Sequence, residues 1–522
     1  MHVPLTPVRA LYRAVDLYAK KTGVISGERR FTYSDFGERV ERLAFGLLSE
    51  GVLPGDRVAF LSYNTHQLLE GYFAAPLIRA IVMPLNVRLT AAELTGILKH
   101  AEPRILFYEA EFAPLVEQLR QACPGIQTWV ETCEPYEKLL RLGRIQRPDI
   151  FTFDESEIAE LFYTSGSTGT PKGVTLSHRT LYLHMLSVSA TFYNDDTMVE
   201  LHTIPLFHAN GWGRPQCATF HGLTQVMVRR FDPVHVLHLI QEERATSMSL
   251  VPTMANALIN CPETANYDLS SVRQIHLGGA ASSPELIARL EAIFHCPAMA
   301  GYGLTETSPV ASSGRDKSTV RFTDEEDRLR HRAMTGWALP GCELRVVDLL
   351  MNDVPRDMAT FGEIVIRGDN VMDGYYKEPQ ATAAVMTNGW LHTGDMAVWD
   401  EDSYIQIVDR QKDIIISGGE NISSIEVERA IAAHPAVLEC AVVSAPDERW
   451  GEVPAAFVVL KPGQALDPPA LCEFLQQRIA KFKLPRRFQF CDSALPKTGT
   501  GKILKRELRE TFWSGKEIRI QG

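Results

Sequence analysis

"TSGSTGTPKGV" runs from Thr164 to Val174, directly after the apolar "LFY". Glycines and hydroxyl residues surround one lysine, Lys172. Glycine lets backbone amides approach an anion and point at it, and hydroxyls add further donors. The lysine supplies the charge that a polyphosphate needs. The apolar run reads as the end of a strand, so the stretch reads as a strand-to-loop amide cradle for phosphate. A solvent-exposed turn shares this composition. The Walker pattern G-x-x-x-x-G-K-[ST] does not fit, because Lys172 falls three positions after Gly169 and Gly173 follows it. "TGTGKI" has Ile503 where that motif needs Ser or Thr.

Around the loop, helical and strand-like patterns alternate. "FTYSDFGERVERLAFGLLSEG" reads as a helix capped by Ser34 and closed by Gly51. "DRVAFLS", "IVMPLN" and "RILFYE" read as strands separated by helices, with "HQLLEGYFAAPLIRA" as one of them. The pattern recurs around "ATSMSLVP", "VRQIHLGG" and "CPAMAGYG". Such βαβ alternation predicts an α/β protein with mostly parallel sheets and covering helices. From about Gly341 the texture changes to short alternating strands, "CELRVVD", "GEIVIRG" and "SYIQIVDR", which predict a small β-rich region. After "DRQKDIIISGGEN" a capped helix, two strands and another helix begin a new unit. The expected organisation is a large domain over residues 1–410 and a small, mobile α+β domain over 411–522.

Composition narrows the function. A chain of 522 residues with 45% hydrophobic and 22% charged residues has the make-up of a soluble globular protein of two or more domains. A formal net charge of −11 argues against coating nucleic acid or an anionic membrane. Any anionic ligand must therefore be met by particular lysines, arginines and amides. Nine cysteines form no C-x-x-C pair, so neither a zinc site nor a disulfide framework is expected. No apolar run approaches the ~20 residues that span a bilayer. The N-terminal stretch carries Arg9, Arg13 and Asp16 and lacks a signal-peptide core, and "RIQG" is no peroxisomal address. These features read as cytoplasmic.

Three further stretches carry chemistry. "GYGLTET" (Gly301–Thr307) sets Glu306 among glycines and threonines. A carboxylate beside a triphosphate requires a bridging cation, and Mg2+ supplies one. "HTGD" ends in Asp395, a carboxylate suited to a ribose diol. "KTGTGKILKRELRE" puts Lys502 on a glycine hinge before a basic helix. Singly, Glu306 also reads as a helix N-terminal acid, Asp395 as a turn residue and Lys502 as a solvated lysine.

Together, in this order, these stretches resemble the AMP-forming adenylating enzymes: acyl-CoA synthetases, coumarate ligases, luciferases and peptide-synthetase adenylation domains. The resemblance runs from "FTYSDF" to "GKILKREL". "HANGW", "SGGENISS" and "PDERWGE" are similar to one branch, that of medium-chain fatty acyl-CoA synthetases, plant acyl-activating enzymes and methylthiopropionate-CoA ligases. The resemblance implies ATP, Mg2+ and CoA as reactants and cofactor, and a two-step reaction. A carboxylic acid first gives an acyl-adenylate and pyrophosphate; CoA then displaces AMP.

Residue by residue, it implies that Thr164, Ser165, Gly166, Ser167, Thr168, Gly169 and Lys172 hold the β- and γ-phosphates. Thr305 contacts the α-phosphate and Glu306 the Mg2+. Gly279, Ala280 and Tyr302 line the adenine, while Asp395 and Arg410 hold the ribose. Lys502 bridges the attacking carboxylate and the α-phosphate, with Lys497 and Lys505 as neighbouring rivals. His208 gates the acid, and Trp212, Gly278, Gly303 and Leu304 are pocket walls. Lys412 is the hinge about which the small domain turns, bringing Ser417–Asn421 to the site for thioester formation.

Ala209, Asn210 and Gly211 offer no acid for an α-amine, which disfavours amino acids as substrates. "ISGG" (Ile416–Gly419) stands where other branches carry a lysine, so that contact is not carried over. The alternative acceptor is a carrier protein or another nucleophile. The family also implies a possible homodimer.

Overall fold

The computed structural model describes residues 3–164, 171–418, 420–497 and 503–513. They form two compact units, one of residues 3–343 with 366–391, the other of 344–365 with 392–513.

The first unit is built on two sheets. In the nine-stranded sheet, six strands are parallel: Thr22–Ser26, Thr224–Met227, Val199–His202, Ser247–Leu250, Gln274–Leu277 and Ala298–Gly303. Arg29–Thr32 closes one edge antiparallel, and Val310–Ser313 with Trp337–Ala338 closes the other. The seven-stranded sheet runs in the order Gly374–Tyr375, Lys172–Ser177, Ile158–Thr164, Ile81–Pro84, Arg57–Leu61, Ile105–Tyr108, Thr128–Glu131. Its last five strands are parallel. Parallel neighbours need crossovers, and the intervening helices, such as His66–Leu77 and Ala91–Ala101, supply them.

The nine-stranded sheet has two unlike faces, both buried. Leu201, Val226, Met248, Ile275 and Ala298 point to one side and pack on Val236, Leu258, Ile287 and Phe294 of the covering helices. On the other side Gln225, Glu200, Ser247 and Gln274 stand in one transverse row. A strand buried on both faces usually reads as a continuous apolar run. Here the alternation in "VELH", "SMSL" and "QIHL" survives because the second face is polar beneath helix Arg214–His221.

The long N-terminal helix spans Tyr33–Ser49, and its cap is Thr32 rather than the expected Ser34. Thr32 accepts from the Asp35 amide while Asp35 returns a bond to the Thr32 amide, so the reciprocal cap begins the helix earlier. This helix is joined to two others through one buried carboxylate. Glu70 of His66–Leu77 is fully buried, lies 2.6 Å from Arg39 Nε and accepts the Tyr136 hydroxyl of Glu134–Leu142.

In the second unit, Trp390–Trp399 pairs antiparallel with Ile405–Arg410 from Asp395 onward. A five-stranded sheet follows, comprising Glu420–Ile422, Ile415–Ser417, Gly451–Leu460, Val437–Asp447 and Arg487–Phe490. Helices Ser424–Ala432 and Pro468–Gln476 bury Val427, Ile431, Leu471 and Leu475 on one face of it. Leu508 of Lys505–Trp513 packs with the residues of the other. Among the described residues no helix is long and apolar enough to cross a membrane.

Glu70→Ala should destabilise the first unit by about 3–5 kcal/mol, because it leaves the half-buried Arg39 guanidinium with Glu137 alone and the buried Tyr136 hydroxyl without its acceptor. Chemical denaturation of the variant measures this; a loss below about 1 kcal/mol would show that Arg39 is satisfied by Glu137 alone.

Candidate active site

Residues Ser165, Gly166, Ser167, Thr168 and Gly169 of the glycine-rich loop lie outside the described residues. The flanks are defined. Thr164 and Lys172 face each other across antiparallel strands, so the chain leaves and re-enters the same sheet. The Lys172 ammonium lies 4.8 Å from the centre of the Tyr375 ring. The Tyr375 hydroxyl donates to Glu306 Oε1 at 2.9 Å. Burial, then the neighbouring Glu306 charge, raises the phenol above its ordinary range, so it stays a protonated donor.

Lys172 and Glu306 are thus brought together through a residue that the sequence reading missed. Tyr375 is fixed by pairing with Val174 and by its amide donating to Thr382 Oγ1 at 2.8 Å. The only signal in the sequence is "DGYYKEP", which does not distinguish Tyr375 from Tyr376.

Glu306 sits in a short 3-10 turn, Thr305–Thr307, at the end of strand Ala298–Gly303. The turn is held from behind. Buried Thr307 accepts the Leu304 amide at 2.9 Å and donates to the Pro309 carbonyl at 2.6 Å. Asn370 donates to the Thr307 carbonyl at 3.0 Å. Thr305 is buried, while Tyr302 and Leu304 are half-buried. At Gly303 an added Cβ would lie 1.7 Å from the Pro309 carbonyl oxygen, so glycine is required there by close backbone approach.

Gly278, Gly279 and Ala280 follow strand Gln274–Leu277 at its carboxyl end, where open α/β sheets bind ligands. Trp212 lies over them, its ring 3.0 Å from where a Gly278 Cβ would stand. Trp212 belongs to a strained segment: Ala209, Gly211, Trp212 and Gly213 have φ of 42°, 48°, 63° and 72°. Left-handed backbone at alanine and tryptophan is costly and marks functional segments. His208 begins this segment, half-buried, its amide donating to Pro205 at 3.0 Å. Behind it, His184 Nε2 accepts the Val310 amide at 3.1 Å. Burial pushes His184 down to about 3, so the ring is neutral and carries its proton on Nδ1.

In the second unit Asp395 and Arg410 are direct cross-strand partners, 2.9 Å apart, with Asp395 buried. Lys412 is exposed in the turn Gln411–Asp413, which is tied down by an Asp413–Arg509 ion pair. Lys502 lies outside the described residues. Both of its neighbours are occupied: Lys505 lies 2.8 Å from half-buried Glu428, and Lys497 lies 2.5 Å from Glu439. Of Ser417–Asn421, Gly419 lies outside the described residues, and Gly418 packs against Trp450. No group of three or more metal-ligating side chains occurs among the described residues.

The model of the AMP-binding enzyme family matches residues 11–376, and that of the AMP-binding enzyme C-terminal domain matches 426–502. The chain belongs to this family. It is 39% identical to a long-chain-fatty-acid–CoA ligase of Thermus thermophilus, over 96% of this chain and 94% of that protein. It is 38% identical to a peroxisomal butyrate–CoA ligase of Arabidopsis thaliana, over 98% and 93%. Its structure is similar to that of the anthranilate CoA ligase AuaEII in complex with anthranoyl-AMP, with TM-score 0.88, 25% identity and 98% of each chain covered. The ATP-bound MatB of Rhodopseudomonas palustris gives TM-score 0.86 at 27% identity, over 98% of this chain and all of that one.

Tyr375→Phe keeps the ring under Lys172 and removes the bond to Glu306. It should raise KM for ATP roughly fivefold, as expected for about 1 kcal/mol of hydrogen bond. Tyr375→Leu, which also removes the ring, should cost more; equal effects would mean that the ring contributes nothing.

Proposed function

We propose a division of labour within an AMP-forming acyl-CoA ligase. The enzyme activates a carboxylic acid with ATP and transfers the acyl group to CoA. The single observation that carries the assignment of roles is the grouping of Lys172, Tyr375 and Glu306 beside the glycine-rich loop.

In this reading, Thr164–Gly169 and Lys172 hold the β- and γ-phosphates, and Thr305 contacts the α-phosphate. Glu306 is the Mg2+ ligand. One carboxylate with substrate phosphates is an ordinary donor set for Mg2+, so the residues fit it. When bound, Mg2+ neutralises phosphate charge. Gly279, Ala280 and Tyr302 line the adenine. Asp395 accepts from the ribose hydroxyls, and Arg410 fixes Asp395 and donates beside it. His208 gates the acid beside Trp212, Gly278, Gly303 and Leu304.

In the first step a carboxylate oxygen attacks the α-phosphorus and the bond to pyrophosphate breaks. Lys502 lies between the two anions and offsets their repulsion, a preorganised donor of the kind that dominates such transfers. In the second step the CoA sulfur, its proton lost, attacks the acyl carbonyl and AMP leaves. Rotation about Lys412 withdraws Lys502 and presents Ser417–Asn421. The domain boundary at 410/411, a cytoplasmic location and a homodimer belong to this reading as well.

The deciding experiment is AMP release over a panel of acids from acetate to palmitate, benzoate and cinnamate, with and without CoA. CoA-dependent turnover is expected. ATP–pyrophosphate exchange with no CoA dependence would move the acceptor to a carrier protein or another nucleophile.

Two variants test the roles. Lys502→Ala should lower adenylate formation by roughly 10²–10³-fold or more while sparing thioester formation from supplied acyl-adenylate. Equal losses in both half-reactions would refute the two-orientation scheme. Glu306→Gln should raise the Mg2+ concentration needed for half-maximal rate; an unchanged requirement would remove Glu306 as the ligand.

A further inference from the structure

The first helix of the chain, Val8–Tyr18, carries Arg9, Arg13 and Leu17 at intervals of four, so the three share one face. That stripe, with Tyr12, Tyr182 and Phe220, lines a groove of about 400 Å³. Ligand sites have volumes of roughly 300–1,000 Å³. The lining shares no residue with the Lys172, Tyr375 and Glu306 grouping.

Aromatic rings fix the two guanidiniums. Arg9 stands 4.9 Å from the centre of the Tyr182 ring, and Arg13 stands 5.0 Å from that of Phe220. Arg13 donates to the Phe220 carbonyl at 2.6 Å and Arg9 to that of Pro4 at 3.4 Å. Neither arginine pairs with a carboxylate among the described residues. Asp16 also lines the groove, but Arg147 takes it at 2.6 Å, and Arg147 lies 3.9 Å from Glu41. Three guanidiniums therefore stand against two carboxylates, and one positive charge is unmatched. Like charges four residues apart on a helix repel, and an anion between Arg9 and Arg13 offsets that repulsion.

Tyr12 supplies a second, independent sign of a ligand. It is only 9% exposed, and its buried hydroxyl has no hydrogen-bond partner among the described residues. Burial, then the Glu41 charge, raises this phenol above its ordinary range, so it remains a donor. A buried donor without an acceptor carries an uncompensated desolvation cost, which an acceptor in the groove removes. Leu17 is 61% exposed, and it and half-buried Ile150 add apolar surface to the same lining.

We propose that this groove is a second binding site, for an organic monoanion. A carboxylate or sulfonate head sits between Arg9 and Arg13, within reach of Tyr12, and an apolar body lies on Leu17, Ile150 and the edge of Phe220. The single unmatched charge selects a monoanion over a phosphate monoester, which carries more charge than the groove can match.

The test is isothermal titration calorimetry of the full chain with octane-1-sulfonate. It should bind roughly tenfold or more tighter than octan-1-ol, which lacks the charge, and than ethanesulfonate, which lacks the apolar body. In Arg9→Glu this binding step should weaken roughly tenfold or more. Tyr12→Phe, which keeps the ring and removes only the hydroxyl, should weaken it roughly fivefold and carries the test if Arg9→Glu fails to fold. Absence of binding, octan-1-ol binding as tightly as the sulfonate, or affinity and stoichiometry unchanged in both variants overturns the inference. The titration contains neither ATP nor CoA, so each of these outcomes leaves the ligase reading as it stands.

Discussion

Much depends on one neutral aromatic ring set between a cation and an anion. Lys172 and Glu306 approach the same residue, and a direct ion pair would satisfy each with the other. Tyr375 takes the ammonium on its ring and the carboxylate on its hydroxyl. Each charge is oriented without being neutralised by its opposite; in the proposed reading this leaves the cation for phosphate and the carboxylate for a metal. In a chain of net charge −11, a polyanion has to be met by charges placed locally in this way.

The placement rests on backbone that tolerates no extra atoms. Gly303 passes against the Pro309 carbonyl, and Thr307, Ser308 and Asn370 hold the turn that follows. The strained run from Ala209 to Gly213 is packed against His184, whose ring would meet any side chain at Gly213. Strain of this kind persists only when surrounding structure over-determines it. Here a buried neutral histidine and the Gly278 surface supply that support.

The legibility of these features follows the range of the interactions behind them. The strands around the glycine-rich loop, the βαβ alternation and the glycine-marked turns are local patterns, and each is visible in a short window. Tyr375 was hidden because its position comes from pairing with Val174, two hundred residues distant in sequence, and a tyrosine pair after glycine has no local signature. The cap at Thr32 was missed because Ser34 is an equally good capping type, and only the reciprocal Asp35 bond decides between them. Lys505 is drawn off by Glu428 and Ser424, contacts that basic-helix composition does not reveal. The polar face was illegible for a different reason: alternation ordinarily signals a solvated face, and here it signals a second buried one.

That second face also bears on why the sheet is stable at all. The apolar side, from Leu201 to Ala298, packs on four helices and gains the usual free energy of burial. The polar side must satisfy its groups by bonding to the helix above it. Gln225 donates to Thr219, and Arg214 pairs with Glu200 and Asn194. His276 is covered by the Phe192 ring, 4.2 Å away, and both it and Ser313 have buried polar atoms without a hydrogen-bond partner among the described residues. These two positions lie nearest the carboxyl edge of the sheet, where Gly278 opens the face to Trp212. Unpartnered atoms occur deeper in the layer as well, at Arg214 Nε and Gln216 Oε1, so the layer is held by its ion pair and side-chain hydrogen bonds rather than by complete pairing of every group.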